Sequence, residues 1–301
     1  MESKIRNIET IAEYNSLLGM ETLHPLVSVI NLANAQKIRH QRHTFGFYTI
    51  FLKEAKCGDI IYGRKYYDYQ EGTVVCLAPG QVIGIEDNGE TIQPRGWALC
   101  FHPDIIRGTS LGSHIKEYSF FSYEVNEALH LSQKEREIFT DCLQKIHHEL
   151  EHNIDRLSRK LIATNIELLL DYCLRFYERQ FITRETVNRD ILVRFESLLD
   201  TYFDEGKAKT EGLPSVKWCA GELCLSSNYF GDLIKKETGK TAHEHIQLKL
   251  INIAKERIHN SSYSISQISY ELGFQYPQHF TRLFKKMVGM TPNKYRTISA
   301  V

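Results

Sequence analysis

A short pattern occurs twice near the C-terminal end of this 301-residue chain. Glu222-Leu223-Cys224-Leu225, followed by Phe230, Leu233, Ile234, Lys235, Lys236, Gly239 and Thr241, is echoed by Glu271-Leu272-Gly273-Phe274, followed by Phe280, Leu283, Phe284, Lys285, Lys286, Gly289 and Thr291. From Phe230 onward each pair is separated by the same distance, and upstream the offset differs by one residue, so the second copy carries one insertion in its turn. Self-similarity at a fixed spacing means that one supersecondary unit is used twice.

Each copy reads as a helix, a turn and a second helix. Ser215 is a good N-cap, and Val216, Ala220 and Leu223 recur on one face of a short helix. Ser226 caps the next, in which Phe230, Leu233 and Ile234 form the inward stripe and Gly239 the left-handed stop. Ser227, Asn228, Gly231, Asp232, Lys235 and Lys236 are left facing outward. Thr241 to Glu244 spells a capping box that opens a long helix through Ile246, Leu250, Ala254 and Ile258, which fixes the spacing between the copies. In the second copy Ser264 to Gln267 is again a capping box, and Pro277 suits a first helical turn. Phe280, Leu283 and Phe284 point inward, leaving Tyr276, Gln278, His279, Arg282, Lys285 and Lys286 outside. Paired units of this kind place a second helix in the DNA major groove, where arginine pairs with guanine, glutamine with adenine, and terminal lysines with phosphate.

Charge agrees with that reading. From Gly212 onward twelve Lys and Arg face six Asp and Glu, a net +6, whereas the whole chain sums to zero. A neutral chain with a basic end carries a nucleic-acid-binding end.

The stretches SSNYFGDLIKKETG (Ser226–Gly239), ISQISYELGF (Ile265–Phe274) and FTRLFKKMVGMTPNKYR (Phe280–Arg296) resemble the AraC/XylS transcription regulators, over about a third of the chain. The resemblance implies two helix-turn-helix units joined by a linker helix, with Asn228, Gly231 and Asp232 from the first and Gln278, His279 and Arg282 from the second entering successive groove segments. The first set departs from a strong reader. Gly231 has no side chain and phosphate repels Asp232, so the second helix is expected to carry most of the base discrimination, unless Asp232 accepts from a cytosine amino group.

Before the repeat, the pattern is one of short strands. His24–Ile30, Phe45–Leu52, Asp59–Tyr62, Thr73–Leu77, Gln81–Ile85 and Trp97–Phe101 are β-branched or aromatic runs punctuated by Gly and Pro, as in a small barrel or a sandwich. YYDYQEGTVVCLAPG (Tyr66–Gly80) resembles the cupin-like sensor domain of the same family. Aromatic residues are plentiful, and Tyr48, Tyr62 and Trp97 are the expected effector-binding residues. Arg39, Arg42, Arg64 and Arg95 read better as solvated surface than as selectors of an anionic effector. No metal site is expected: His40 and His43 fall on opposite faces of a strand, and Gln81-Val82 stands where a metal cupin would place a further histidine. Ser132–His152 and Arg156–Phe181 then read as two long helices, and the resemblance assigns the dimer contact to such a hairpin.

The expected architecture is an α+β multidomain chain. Residues 1–130 form a cupin-like sensor barrel, 131–182 a two-helix dimerisation hairpin, 183–190 a polar linker, and 191–301 an all-α tandem helix-turn-helix domain. Seven scattered cysteines, the absence of an apolar run long enough to span a bilayer, and a polar N-terminus predict reduced thiols and a cytoplasmic location. The expected function is a ligand-responsive, sequence-specific transcription regulator, without catalytic residues, cofactor or metal. Its expected partners are double-stranded DNA, a second copy of itself, a small-molecule effector and RNA polymerase, and no membrane. The rivals are a cupin-type enzyme fused to a DNA-targeting domain and a ligand-independent architectural DNA binder.

Overall fold

The computed structural model describes residues 5–39, 41–53, 60–62, 65–67, 72–84, 91–123, 127–152, 154–183, 185–259 and 263–299. The chain divides into two compact units, Met1–Thr183 and Arg184–Val301. In chain order the first contains β1 (Arg6–Ile8), α1 (Ile11–Leu17), β2 (Val27–Asn31), β3 (Ile38–Arg39), β4 (Arg42–Phe45), β5 (Tyr48–Lys53), β6 (Ile60–Tyr62), β7 (Lys65–Tyr67), β8 (Thr73–Leu77), β9 (Val82–Gly84), β10 (Thr91–Ile92), β11 (Gly96–Phe101), α2 (Pro103–Ile106), α3 (Ser110–His114), β12 (Leu129–His130), α4 (Gln133–Glu151) and α5 (Ser158–Thr183).

Strands β12, β8, β5, β11 and β2 make one sheet, β1, β4, β9, β6 and β7 a second, and β3 pairs with β10 as a short ribbon. Alternation along the strands decides what each face buries. Phe51, Val75, Leu77, Ala98 and Cys100 from the first sheet share one apolar core with Ile8, Phe45 and Ile83 from the second and with Tyr14 and Leu18 of the α1 segment. The intervening residues Ile50, Leu52, Val74, Leu99 and Phe101 are buried as well. Helix α4 lies against β2, and α5 against β12. A sheet covered on both sides reads as a continuous apolar run, which is why TVVCL of β8 lacks a polar alternate.

Polar side chains tie the hairpin to the sheet edge. Arg179 of α5 donates to the Glu135 carboxylate at 3.0 and 2.7 Å and to the His130 carbonyl at 2.6 Å. Glu135 also closes the capping box of α4 with Ser132. Desolvation pushes the Glu135 carboxyl up, but the hydrogen bonds from Arg179 and Ser132 outweigh it and hold the group below its usual range. Gln180 accepts from the His130 N–H at 2.8 Å and donates to the Ala128 carbonyl at 3.2 Å, so the edge strand β12 presents fewer unpaired groups.

The run Phe45–Leu52, read as one strand, is two. Gly46 breaks it: its N–H donates to the Ile8 carbonyl at 2.9 Å, and a Cβ there would stand 2.8 Å from the Glu9 carbonyl oxygen. The stretch 183–190, expected to be a linker, is helical on both sides of Arg184. Helix α5 runs to Thr183, and α6 (Glu185–Asp204) begins the second unit. Its buried residues Asn188, Ile191, Phe195, Leu199 and Tyr202 recur at helical spacing. Asn188 supplies the first contact of that stripe through its amide, which donates to Glu237 at 2.9 Å, so polarity concealed an inward position.

Beyond α6 come α7 (Lys207–Glu211), α8 (Val216–Glu222), α9 (Ser227–Thr238), α10 (Ala242–His259), α11 (Ile265–Glu271), α12 (Pro277–Val288) and α13 (Pro292–Ser299). Pairs α8–α9 and α11–α12 are the two repeat units, and α10 is their connector. The capping boxes at Thr241 and Ser264, the Ser215 and Ser226 caps, and Pro277 at the helix start are all present. Gly239 and Gly289 end α9 and α12 at φ 71° and 82°. Phe230 packs edge-on against Phe195 at 4.9 Å, and Lys249 of α10 pairs with Asp200 of α6, so α6 belongs to the same body.

The two turns solve one geometric problem with different residues. Gly273 has φ 92°, and a Cβ there would meet the Ala208 carbonyl oxygen at 2.7 Å. Its counterpart Cys224 adopts φ 59°, the left-handed region, with an exposed side chain. That conformation costs an L-residue about 1–2 kcal/mol. Cys224→Gly should therefore stabilise the second unit by about 1 kcal/mol once the entropy of glycine is subtracted, while Gly273→Ala destabilises it by more. Urea unfolding followed by Trp218 fluorescence in a Trp97→Phe background measures both; a Cys224→Gly variant no more stable than its parent contradicts the strain.

Candidate nucleic-acid interface

Helix α12 presents one polar arc. Gln278, His279, Arg282, Lys285 and Lys286 are all exposed and recur at helical spacing, opposite the buried Phe280 and Phe284. Tyr276, 55% exposed at the N-cap, sets its ring 5.6 Å from that of His279, extending the arc past the helix start. The two lysines fall in the last turn, where cations complement the helix dipole and where a helix leaves a groove for the backbone.

Helix α9 repeats the scaffold with different chemistry. Asn228, Lys235 and Lys236 are exposed, whereas Ser227, Gly231 and Asp232 are half-buried. Gly231 is not there to relieve crowding, since a Cβ would meet nothing within 4 Å. Matched through the repeat, Asn228 corresponds to Gln278 and Asp232 to Arg282, so one copy carries a carboxylate where the other carries a guanidinium. Tyr229 is buried where His279 is exposed, which narrows the polar arc of α9 further.

Not every cation of the basic tail is available to a ligand. Arg296 donates to the Ile258 carbonyl at 3.1 Å and to the Tyr263 carbonyl at 2.8 Å, closing the end of α10. Arg257 pairs with Glu271 at 3.3 Å. These arginines and Lys249 serve the fold, a distinction that charge counting along the sequence does not make. The positive charge that remains exposed on α9 and α12 is Lys235, Lys236, Arg282, Lys285 and Lys286.

The first unit has an open-mouthed cavity of about 140 Å³ between its two sheets, walled by α1, by strands of both sheets and by the β3–β10 ribbon. Of the residues expected to bind an effector, Tyr48 and Trp97 are not among its lining. Tyr48 stacks on Phe101 at 5.0 Å and meets Phe121 edge-on at 5.0 Å, on the other face of the sheet from Phe51. Trp97 alternates with the core residue Ala98 and so points away from the core too. The side chain of Tyr62 lies outside the described residues, as do His40 and Arg64. Arg39 and Arg95, read from sequence as solvated surface, do line the cavity, with the buried Lys53 between the sheets. Lys53 was missed because its strand YTIFLK ends there, where a lysine reads as the solvated end of a strand. Among the described residues no group of three or more His, Cys, Asp or Glu side chains is placed to hold a metal ion, and no helix is long and apolar enough to cross a membrane.

Comparison with known proteins bears on the helical unit first. Residues 219–298 match the helix-turn-helix domain family, from the middle of α8 through α9, α10, α11 and α12 into α13. The chain is 32% identical over 135 residues to the Transposon Tn10 TetD protein of Escherichia coli, covering 44% of this chain and 83% of that protein. It is 23% identical over 230 residues to a probable transcriptional regulator, LumQ, of Photobacterium leiognathi, covering 75% of this chain and 83% of the relative. It is also 34% identical over 85 residues to the uncharacterized transcriptional regulatory protein YesN of Bacillus subtilis, a match covering 27% of this chain and 23% of that longer protein. Two capped helix-turn-helix units on one connector, a lysine pair ending each second helix, the match to TetD over most of its length, and relatives named as transcriptional regulators make this chain a member of the AraC/XylS family of DNA-binding transcription regulators.

Proposed function

We propose that the protein is a homodimeric, ligand-responsive regulator that reads its site chiefly through α12, with α9 anchoring the backbone. The observation that carries this is the Asp232–Arg282 contrast at matched positions. Arg282 in the centre of the outward arc donates two hydrogen bonds to a guanine edge; Asp232 at the same place gains nothing from phosphate and accepts only from a cytosine amino group. Lys235, Lys236, Lys285 and Lys286 neutralise phosphate at the ends of both helices. Two reading helices in one body then span successive major-groove segments about 34 Å apart. In this reading Ser227, Asn228 and Gly231 set the approach of α9, and Tyr276, Gln278 and His279 the approach and selectivity of α12.

Dimerisation through α4 and α5 draws support from apolar residues left uncovered. Leu161, Leu168 and Ile182 recur on α5, with exposures of 44%, 39% and 63%. Side chains of that size at such spacing mark an association surface rather than a solvated face. The barrel, cupin-like in this reading, holds the effector. Effector binding redistributes the dimer between two arrangements that differ in DNA affinity, and the DNA-bound form contacts RNA polymerase. LumQ and YesN are named as regulators, and this chain is read the same way.

Two outcomes follow. Arg282→Ala should weaken a preferred duplex by about 1–3 kcal/mol and relax one base position, while Lys286→Ala weakens every sequence alike; identical profiles for both variants across a panel of single-base substitutions contradict the role assignment. Leu161→Glu with Leu168→Glu should shift sedimentation from dimer to monomer, because apposed carboxylates repel across a symmetric interface. A dimer unchanged by the pair places the contact elsewhere.

A further inference from the structure

The two reading helices begin differently. In the first copy Ser226 caps α9, its hydroxyl accepting from the Tyr229 N–H at 3.1 Å, and the Tyr229 side chain is buried. The matched residues of the second copy are Tyr276 and His279, both exposed, and the Tyr276 side chain makes no capping hydrogen bond. Serine at an N-cap stabilises a helix and tyrosine does not, so α12 forgoes a contact that its own repeat shows to be available. What it has instead is a ring 55% exposed, met edge-on by the His279 ring at 5.6 Å and 66°. The pair continues the arc of Gln278 and Arg282 at the N-terminal end of α12, the end from which a recognition helix reaches base edges.

We infer that Tyr276, positioned by His279, reads the 5-methyl group of a thymine; this rests on the reading of α12 given above and adds a base type to it. The thymine methyl is the one apolar group on the major-groove edges of the base pairs, so an aromatic surface in that groove has one feature to recognise. The other side chains of the arc serve different chemistry, Gln278 and Arg282 as donors to purine edges and Lys285 and Lys286 as phosphate contacts. Ring and methyl lose water together when they meet, which is where the contact draws its free energy. The edge contact with His279 restricts the Tyr276 rotamers before DNA arrives, so less ordering entropy opposes binding. Helix rise fixes the place of the thymine. Tyr276 and Arg282 are about 9 Å apart along α12, so the thymine lies within about three base pairs of the guanine taken by Arg282. Helix α9 offers no exposed ring at the matched positions, so the contact belongs to the second copy alone.

The test uses the full chain and a preferred duplex selected from a random DNA library, with each thymine in turn replaced by deoxyuridine. That replacement removes the methyl and keeps every hydrogen-bonding group. Burial of one methyl group corresponds to about a fourfold change in affinity, and the parent should lose about that much at a thymine near the Arg282-dependent guanine. Tyr276→Phe should keep the ratio, because the ring and not the hydroxyl makes the contact. Tyr276→Ser, which installs the residue of the first copy, should bring the thymine and uracil duplexes to equal affinity. Discrimination at the guanine should persist in that variant, showing that α12 is still folded and docked. His279→Ala should lower the ratio and His279→Phe restore it. Uracil tolerated by the parent at every thymine, a penalty that survives Tyr276→Ser, or one lost in Tyr276→Phe overturns the methyl contact; an undiminished ratio in His279→Ala overturns the positioning role. The reading of α12 fails separately, if Arg282→Ala leaves the base preferences of the duplex unchanged.

Discussion

The DNA-binding unit depends on two buried rings, Phe230 and Phe280. Each is fully buried, and each holds its helix by an edge contact from outside it, Phe230 to Phe195 at 4.9 Å and Phe280 to Phe274 at 5.5 Å. Their first effect is energetic, since truncating a buried phenylalanine to alanine costs about 3–5 kcal/mol. The second effect is angular. One residue turns an α-helix by about 100°, so the ring that docks fixes which side chains are left to face outward. Because both copies dock at the same repeat position, Gln278, Arg282 and Lys285 and their counterparts Asn228, Asp232 and Lys235 lie on the same side of their helices, although Asp232 is half-buried where Arg282 is exposed.

What differs between the copies is confined to the surface and the turns. The scaffold positions, which are the phenylalanines, the leucines, the lysine pairs and the terminal glycines, are shared; the arc positions are not. The shared scaffold tolerates unequal arcs without a change of fold: Arg282 is exposed and Asp232 half-buried at matched positions, while the buried phenylalanines beneath them are the same. The turns show the same economy of change. One copy tolerates a strained cysteine where its surroundings are open, and the other needs glycine because α7 presses against it.

Most of the helical unit was legible from residue order, since its signals are local: caps at Ser215, Ser226, Thr241 and Ser264, stripes at helical spacing, and stops at Gly239 and Gly289. Helix α6 was partly hidden because its first inward residue is an asparagine whose partner, Glu237, lies 49 residues away. The strands Thr73–Leu77 and Trp97–Phe101 were visible as apolar runs, whereas β1, β3 and β10 are too short to carry a pattern. The cavity was the least legible part. Tyr48 and Trp97 drew notice for their chemistry, but alternation turns them to the opposite face; Lys53 and Arg95 meet only because β5 and β11 pair in one register, a long-range fact that no local pattern encodes.

The central claim is that the lysines ending α9 and α12 hold the phosphate backbone on both sides of the reading surface. Counterion release gives that claim a direct readout. With the full chain and a fixed duplex, the logarithm of the dissociation constant is measured against the logarithm of salt concentration, for the parent and for a variant with Lys235, Lys236, Lys285 and Lys286 all changed to alanine. The account predicts a steep slope for the parent and a loss of about 0.9 for each lysine that contacts phosphate. A parent slope near zero, or a variant that keeps the parent slope, contradicts it.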